Sequence, residues 1–172
     1  MDAITCLTTR HSVRRMTGAA VPAEAVRAII TAGQHAPTAN NQQIWTFVTI
    51  TDRTRLAELQ ALCPKNAPFL TQAGLAVLVT CSAGKYFLED GCAAATNMLN
   101  AAHALGCGGC WIAGHGKDYA SAVLQWAGAP AGQELVAIVV IGQAEPAAAA
   151  ATPKKPLAAI WRHERFDGEA GQ

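Results

Sequence analysis

Arg10-His11-Ser12-Val13-Arg14, followed by Ala36-Pro37-Thr38-Ala39-Asn40-Asn41-Gln42-Gln43-Ile44-Trp45, are the stretches on which the fold of this chain turns. The first sets cation, hydroxyl and cation within one short turn. Paired guanidinium groups and a hydroxyl meet a phosphate monoester with charge-assisted hydrogen bonds. A solvated basic segment is an equally common source of such a cluster, so the residues alone leave both readings open. Arg15 adds a cation whose direction the sequence does not fix. The second stretch is a Pro/Asn/Gln-rich turn that leads into the apolar strand Thr46-Phe47-Val48-Thr49-Ile50. No Gly-rich phosphate loop is present, so a Walker A or dinucleotide fingerprint has no support.

Working outward, residues 2–9 suit a short helix with Asp2 at its start. Pro22 and Glu24 open a second helix, with Val26, Ile29, Ile30 and Gly33 as its inward stripe. Residues 45–51 read as a strand, and Asp52 caps a helix carrying Leu56, Leu59 and Leu62 at the helical period. Leu75-Ala76-Val77-Leu78-Val79 is an unbroken apolar run, as expected of a strand covered on both faces. The longest helix spans about 88–105, rich in alanine and apolar on nearly every side, which predicts burial all round. Gly106 ends it. Glu89 and Asp90 make no convincing acid/base pair and read as favourable charges at the helix start. Residues 119–126 suggest another short helix, 135–141 a second buried strand, and 157–166 a closing helix. Helices alternating with a few buried strands give an α+β or α/β fold in three layers.

The 172 residues suit one domain, 1–172, with 144–172 as a C-terminal arm and short helix. Composition is 51% hydrophobic and 15% charged, so some apolar surface is expected to be hidden by association. A net charge of +1 with scattered basic residues argues against nucleic acid or an anionic membrane as partner. The first residues are too polar and short for a signal peptide, and no segment has the apolar length of a membrane span. A soluble, cytoplasmic protein is the expectation. The 6 cysteines then remain thiols. Cys107-Gly108-Gly109-Cys110 is a CxxC, but it follows a long helix and has no second ligand pair. Two small residues where a helix turns into a packed strand explain it better than redox or metal duty, and no metal site is expected.

These segments resemble the FMN-dependent nitroreductase family. Arg10, Ser12 and Arg14 match its early Arg-x-Ser-x-Arg/Lys motif. Ala36-Pro37-Thr38, Asn41, Gln43, Trp45 and Phe47 fall in register with its Ala-Pro-Ser-x-x-Asn-x-Gln-Pro-Trp-x-Phe segment. Thr38 keeps the hydroxyl, whereas Ile44 stands where proline is usual. Residues 90–99 look like the central helix that forms the family's dimer, 106–114 like the segment passing the isoalloxazine ring, and Lys154-Lys155-Pro156 like a late cationic segment. The resemblance implies a three-layer α/β/α fold with a central mixed sheet, in an intertwined homodimer. Arg10, Ser12, Arg14 and Lys155, with Lys154 beside it, would hold the FMN phosphate. Pro37, Thr38, Ala39 and Asn41 would come from the other subunit, and Gln43 would add a polar contact or order the turn. Backbone N–H groups at Ala113 and Gly114 would face the flavin N5/O4 edge, and His11 would line the pocket or face solvent. Trp45 and Trp111 are expected to be packing anchors.

The implied activity is FMN-dependent NAD(P)H oxidoreduction with a small electron acceptor, a nitroaromatic or quinone, and no catalytic side chain. A flavin-binding or sensing protein without NAD(P)H turnover is the alternative. The stretch between Leu62 and Leu75 looks trimmed relative to larger members, with Lys65 and Asn66 as stand-ins for their flavin contacts.

Overall fold

The computed structural model describes residues 1–146 and 152–171. Six α-helices and four strands are described: α1 (Ala3–Thr9), α2 (Ala23–Gln34), β1 (Trp45–Ile50), α3 (Arg53–Leu62), β2 (Leu75–Ser82), α4 (Phe87–Ala104), β3 (Gly108–Ala113), α5 (Ala120–Trp126), β4 (Gln133–Gly142) and α6 (Leu157–Ile160). The fold is α+β.

Local chemistry sets most of the boundaries. The Asp2 carboxylate accepts from the Thr5 N–H (3.0 Å), and that of Asp52 from Arg55 (2.9 Å), so both helices start on an acidic N-cap. Gly106, at φ 79°, ends α4. Its N–H donates to His103 O (3.0 Å) and that of Cys107 to Ala102 O (2.8 Å). This double closure needs a left-handed residue at the turn, which glycine adopts without strain.

The sheet runs β1-β2-β4-β3, and every pairing between these strands is antiparallel. The expected mixed sheet is therefore corrected. The one parallel contact among the described residues is a single bridge from Ser12 to Gly109, on the outer side of β3. Neighbour order is fixed by tertiary pairing, which hydrophobic runs do not encode.

β2 and β4 are central and buried almost throughout. Their side chains alternate between two cores. Ala76, Leu78, Ile138 and Val140 pack with Leu56 and Leu59 of α3 and Val123 of α5. Val77, Val79, Val139 and Ile141 pack with Ile29 of α2 and Ala95 and Met98 of α4. Helices thus cover both faces of the sheet.

The chain buries only one side of α4, through residues such as Ala94, Ala95, Met98 and Ala102. Thr96 is exposed, and Cys92, Ala93, Asn97 and Ala101 are half-buried. Burial all round is not achieved within one protomer. The expected helix over 157–166 is also shorter, ending at Ile160. It buries no residue, so no tertiary packing sustains further turns. Part of the Ala/Pro arm, residues 147–151, lies outside the described residues. Among the described residues, no helix is long and apolar enough to cross a membrane.

Candidate functional site

Arg10 is the C-cap of α1, and the chain beyond it lies along the outer edge of β3. The Val13 N–H donates to Gly109 O at 2.9 Å. A Cβ on Gly108 would come within 2.8 Å of the Val13 side chain, so glycine is what lets this segment approach the strand. Arg15 turns away to Glu145, 2.9 Å off. Among the described residues, Arg10 and Arg14 have no carboxylate partner.

Their direction is visible at Cys110. Burial pushes that thiol up, and Arg14, Ser12 and Arg10 oppose the shift from nearby. The segment carrying Arg10, Ser12 and Arg14 thus runs along this edge of β3, with Ser12 bridged to Gly109 next to Cys110. Arg10 and His11 also line a hollow of about 240 Å³ with Cys107, Gly108 and Gly109. The His11 ring is tied to Thr9 O (3.2 Å).

Further along β3, hydrogen bonds alternate inward and outward. The Gly114 N–H donates to Val136 O (3.0 Å), inward to β4. It is not free to meet a ligand, which corrects the expectation for Gly114. Alternation turns the Ala113 N–H to the outer edge, while the Ala113 carbonyl accepts from the Tyr119 hydroxyl. Gly109 and Ala113 are four residues apart, roughly 13 Å at the rise of an antiparallel strand.

The second predicted stretch lies elsewhere. Thr38, Asn41 and Gln43 line a separate hollow of about 310 Å³ with Gln34, His35 and Ala36. This segment leads into β1, at the opposite edge of the sheet from β3. Three strand spacings put those edges about 14 Å apart. Pro37 is exposed, Ala39 is half-buried, and the Gln43 side chain donates to Asn41 Oδ1 (3.2 Å). Lys154 and Lys155 are exposed, and no described contact brings either to Arg10 or Arg14. Trp45 stacks on Phe47 with centroids 6.1 Å apart, and Trp111 packs against the α2/α4 core, as anchors should.

One residue of this site was given a lesser role by the sequence. Asp90, 4% exposed in the first turn of α4, accepts from the Thr38 hydroxyl (2.7 Å) and the Ala39 N–H (3.0 Å). Its carboxylate holds the 38–43 loop, beyond any effect on the helix dipole. The sequence alone does not separate Asp90 from the adjacent Glu89; burial does, since a carboxylate is costly to bury without hydrogen-bond partners. No cluster of metal ligands occurs among the described residues. A wider depression along α2, about 720 Å³, offers Glu24, Arg27 and Thr31 but no converging cations.

The residues fit a flavin mononucleotide. Two guanidinium groups without a carboxylate partner among the described residues and a hydroxyl offer donors suited to a phosphate, and an outward backbone donor lies further along the same edge.

Comparison with known proteins gives the family and the fold. The sequence matches the profile of the Nitroreductase family over residues 7–80 and 55–143. A relative from Methanothermobacter thermautotrophicus, provisionally named NADH dehydrogenase/NAD(P)H nitroreductase, is 29% identical over 116 residues, 64% of this chain and 60% of the relative. The match thus spans about three fifths of that relative's length. An FMN-dependent nitroreductase from Clostridium difficile superposes with a TM-score of 0.88 at 24% identity, covering 95% of this chain and 99% of that one. A nitroreductase with bound FMN from Bacteroides fragilis gives 0.80 at 23% identity, covering 95% and 100%. At these identities the two structures carry the fold.

Proposed function

The chain belongs to the nitroreductase family, and from that premise we propose that it is an FMN-dependent NAD(P)H oxidoreductase with its flavin sites at the interface of a homodimer. The observation that carries the reading is the outer edge of β3. Arg10, Ser12 and Arg14 lie on the segment that runs along it, both arginines without a carboxylate partner among the described residues, and the Ala113 N–H faces the same edge. The position of the 38–43 loop at the opposite sheet edge supports a two-chain site, because one protomer does not bring its two halves together. The six free cysteines suit a reducing, cytoplasmic setting.

When bound, FMN supplies the hydride exchange between NAD(P)H and an oxidised acceptor such as a nitroaromatic or a quinone. The protein's part is binding, orientation and electrostatics. Arg10, Ser12 and Arg14 hold the phosphate, with Lys154 and Lys155 contributed by the arm. The Ala113 N–H stabilises negative charge at the ring edge it faces. Asn41 and Gln43 of the partner protomer close the ring side, and no side chain acts as nucleophile.

The test is the colour of the purified protein. Wild type is expected to be yellow and to bleach anaerobically with NADH or NADPH. Replacing Arg10 and Arg14 together by Ala removes charge-assisted bonds worth roughly 1.5–3 kcal/mol each and is expected to give nearly colourless protein. Unchanged FMN content in that variant overturns the phosphate assignment. A yellow protein that neither nicotinamide bleaches is a flavin-binding protein, not an oxidoreductase.

A further inference from the structure

The loop expected to close on the flavin carries three positive-φ residues and is tied to helix α4 by one buried carboxylate. Asn40, Asn41 and Gln43 all have positive φ, at 53°, 55° and 50°. Asparagine tolerates that region better than most residues with a Cβ, but three such positions among four still gain from an external hold. Asp90 supplies it with both oxygens. Oδ1 accepts the Ala39 N–H, and Oδ2 accepts the Thr38 hydroxyl. Because a carboxylate offers only acceptors, the Thr38 proton must point at Asp90. That leaves the Thr38 oxygen free to accept, and the Gln43 N–H donates to it at 3.1 Å. The carboxylate thus fixes the loop near its start and, through one hydroxyl, at its far end.

We propose that Asp90 is the positioning residue of the flavin site, setting the loop geometry that presents Asn41 and Gln43 to the ring. The inference rests on the functional reading above and assigns it a residue that touches no cofactor. Glu89 is the natural control. It lies in the same first turn and carries the same formal charge, but it is exposed and has no bond to the loop. A helix-dipole role would make the two acids equivalent; a clamp makes only Asp90 matter.

Apoprotein of wild type, Asp90→Asn and Glu89→Gln is titrated with FMN and with riboflavin, and the visible circular dichroism of the bound flavin is recorded at saturation. Asp90→Asn is expected to weaken both flavins roughly tenfold or more, the worth of one charge-assisted hydrogen bond. The equal loss for riboflavin places the effect away from the phosphate, on the ring and ribityl side. The dichroism should stay altered at saturation, where lowered fold stability alone would no longer register. Glu89→Gln should match wild type in each measurement. If Asp90→Asn does not fold, Thr38→Val cuts the hydroxyl link while leaving the carboxylate on Ala39, and it should shift affinity and dichroism the same way. Wild-type affinity and dichroism in the Asp90 variant, or in Thr38→Val when that variant stands in for it, overturns the assignment alone, as does an equal loss in Glu89→Gln. A wild-type protein that takes up no flavin overturns the functional reading and the assignment together.

Discussion

Single residues decide how this protein behaves with pH. Burial pushes the Cys63 thiol up to about 11 and that of Cys81, in β2 beneath α4, to about 12. Both sit above the unfolded value of 9.0, so the folded state holds these protons more tightly. Their contribution to stability is whole below pH 9 and drains away as pH climbs through 11 to 12. Denaturation midpoints are accordingly expected to fall steadily on the alkaline side of pH 9. Pulse alkylation at pH 8 followed by mass spectrometry should leave Cys63 and Cys81 unlabelled until denaturant is added. A Cys63,Cys81→Ala variant should lose much of the alkaline slope. At the residue level the sequence showed which groups lie close along the chain: Arg10, Ser12 and Arg14 fall on the one segment that runs along the β3 edge. Arg15 and Asp90 were not legible, because their partners lie 130 and 52 residues away and only the folded chain brings them together.

Among the elements, α4 is the one that ties down the 38–43 loop, because its first turn carries Asp90. It approaches β4 closely at Gly91, where a Cβ would lie 2.6 Å from the Val136 side chain. Val136 is 2% exposed and has little room to move. Gly91→Ala should therefore destabilise the fold by roughly 1–3 kcal/mol, the usual penalty for overpacking, despite alanine's better helix propensity. Chemical denaturation measures it, and unchanged or raised stability would show that the helix can shift at no cost. Strands and helices with a buried stripe were readable from periodicity, as Leu56 and Leu59 in α3 illustrate. The end of α6 was not, since Leu157, Ile160 and Trp161 are all exposed and give the helix nothing to pack on. Strand order escaped as well, because apolar runs name strands without naming neighbours.

At the scale of the molecule, a protomer that leaves Ile4, Leu7, Leu157, Ile160 and Phe166 exposed, the last at 101%, is expected to associate. Light scattering coupled to size exclusion should return twice the 17.9 kDa of the chain, and a persistent monomer that still holds FMN would contradict the interfacial site. The placement of the two half-sites on opposite margins of the sheet carries this further. A chain altered at Arg10 and Arg14 and a second altered at Asn41 should each purify without pigment. Produced together in one cell, they can form hybrids in which one of the two chambers draws an intact half from each parent. Such a mixture should regain colour up to a quarter of the normal flavin complement, a genetic complementation between two inactive forms that a site confined to one chain could never give.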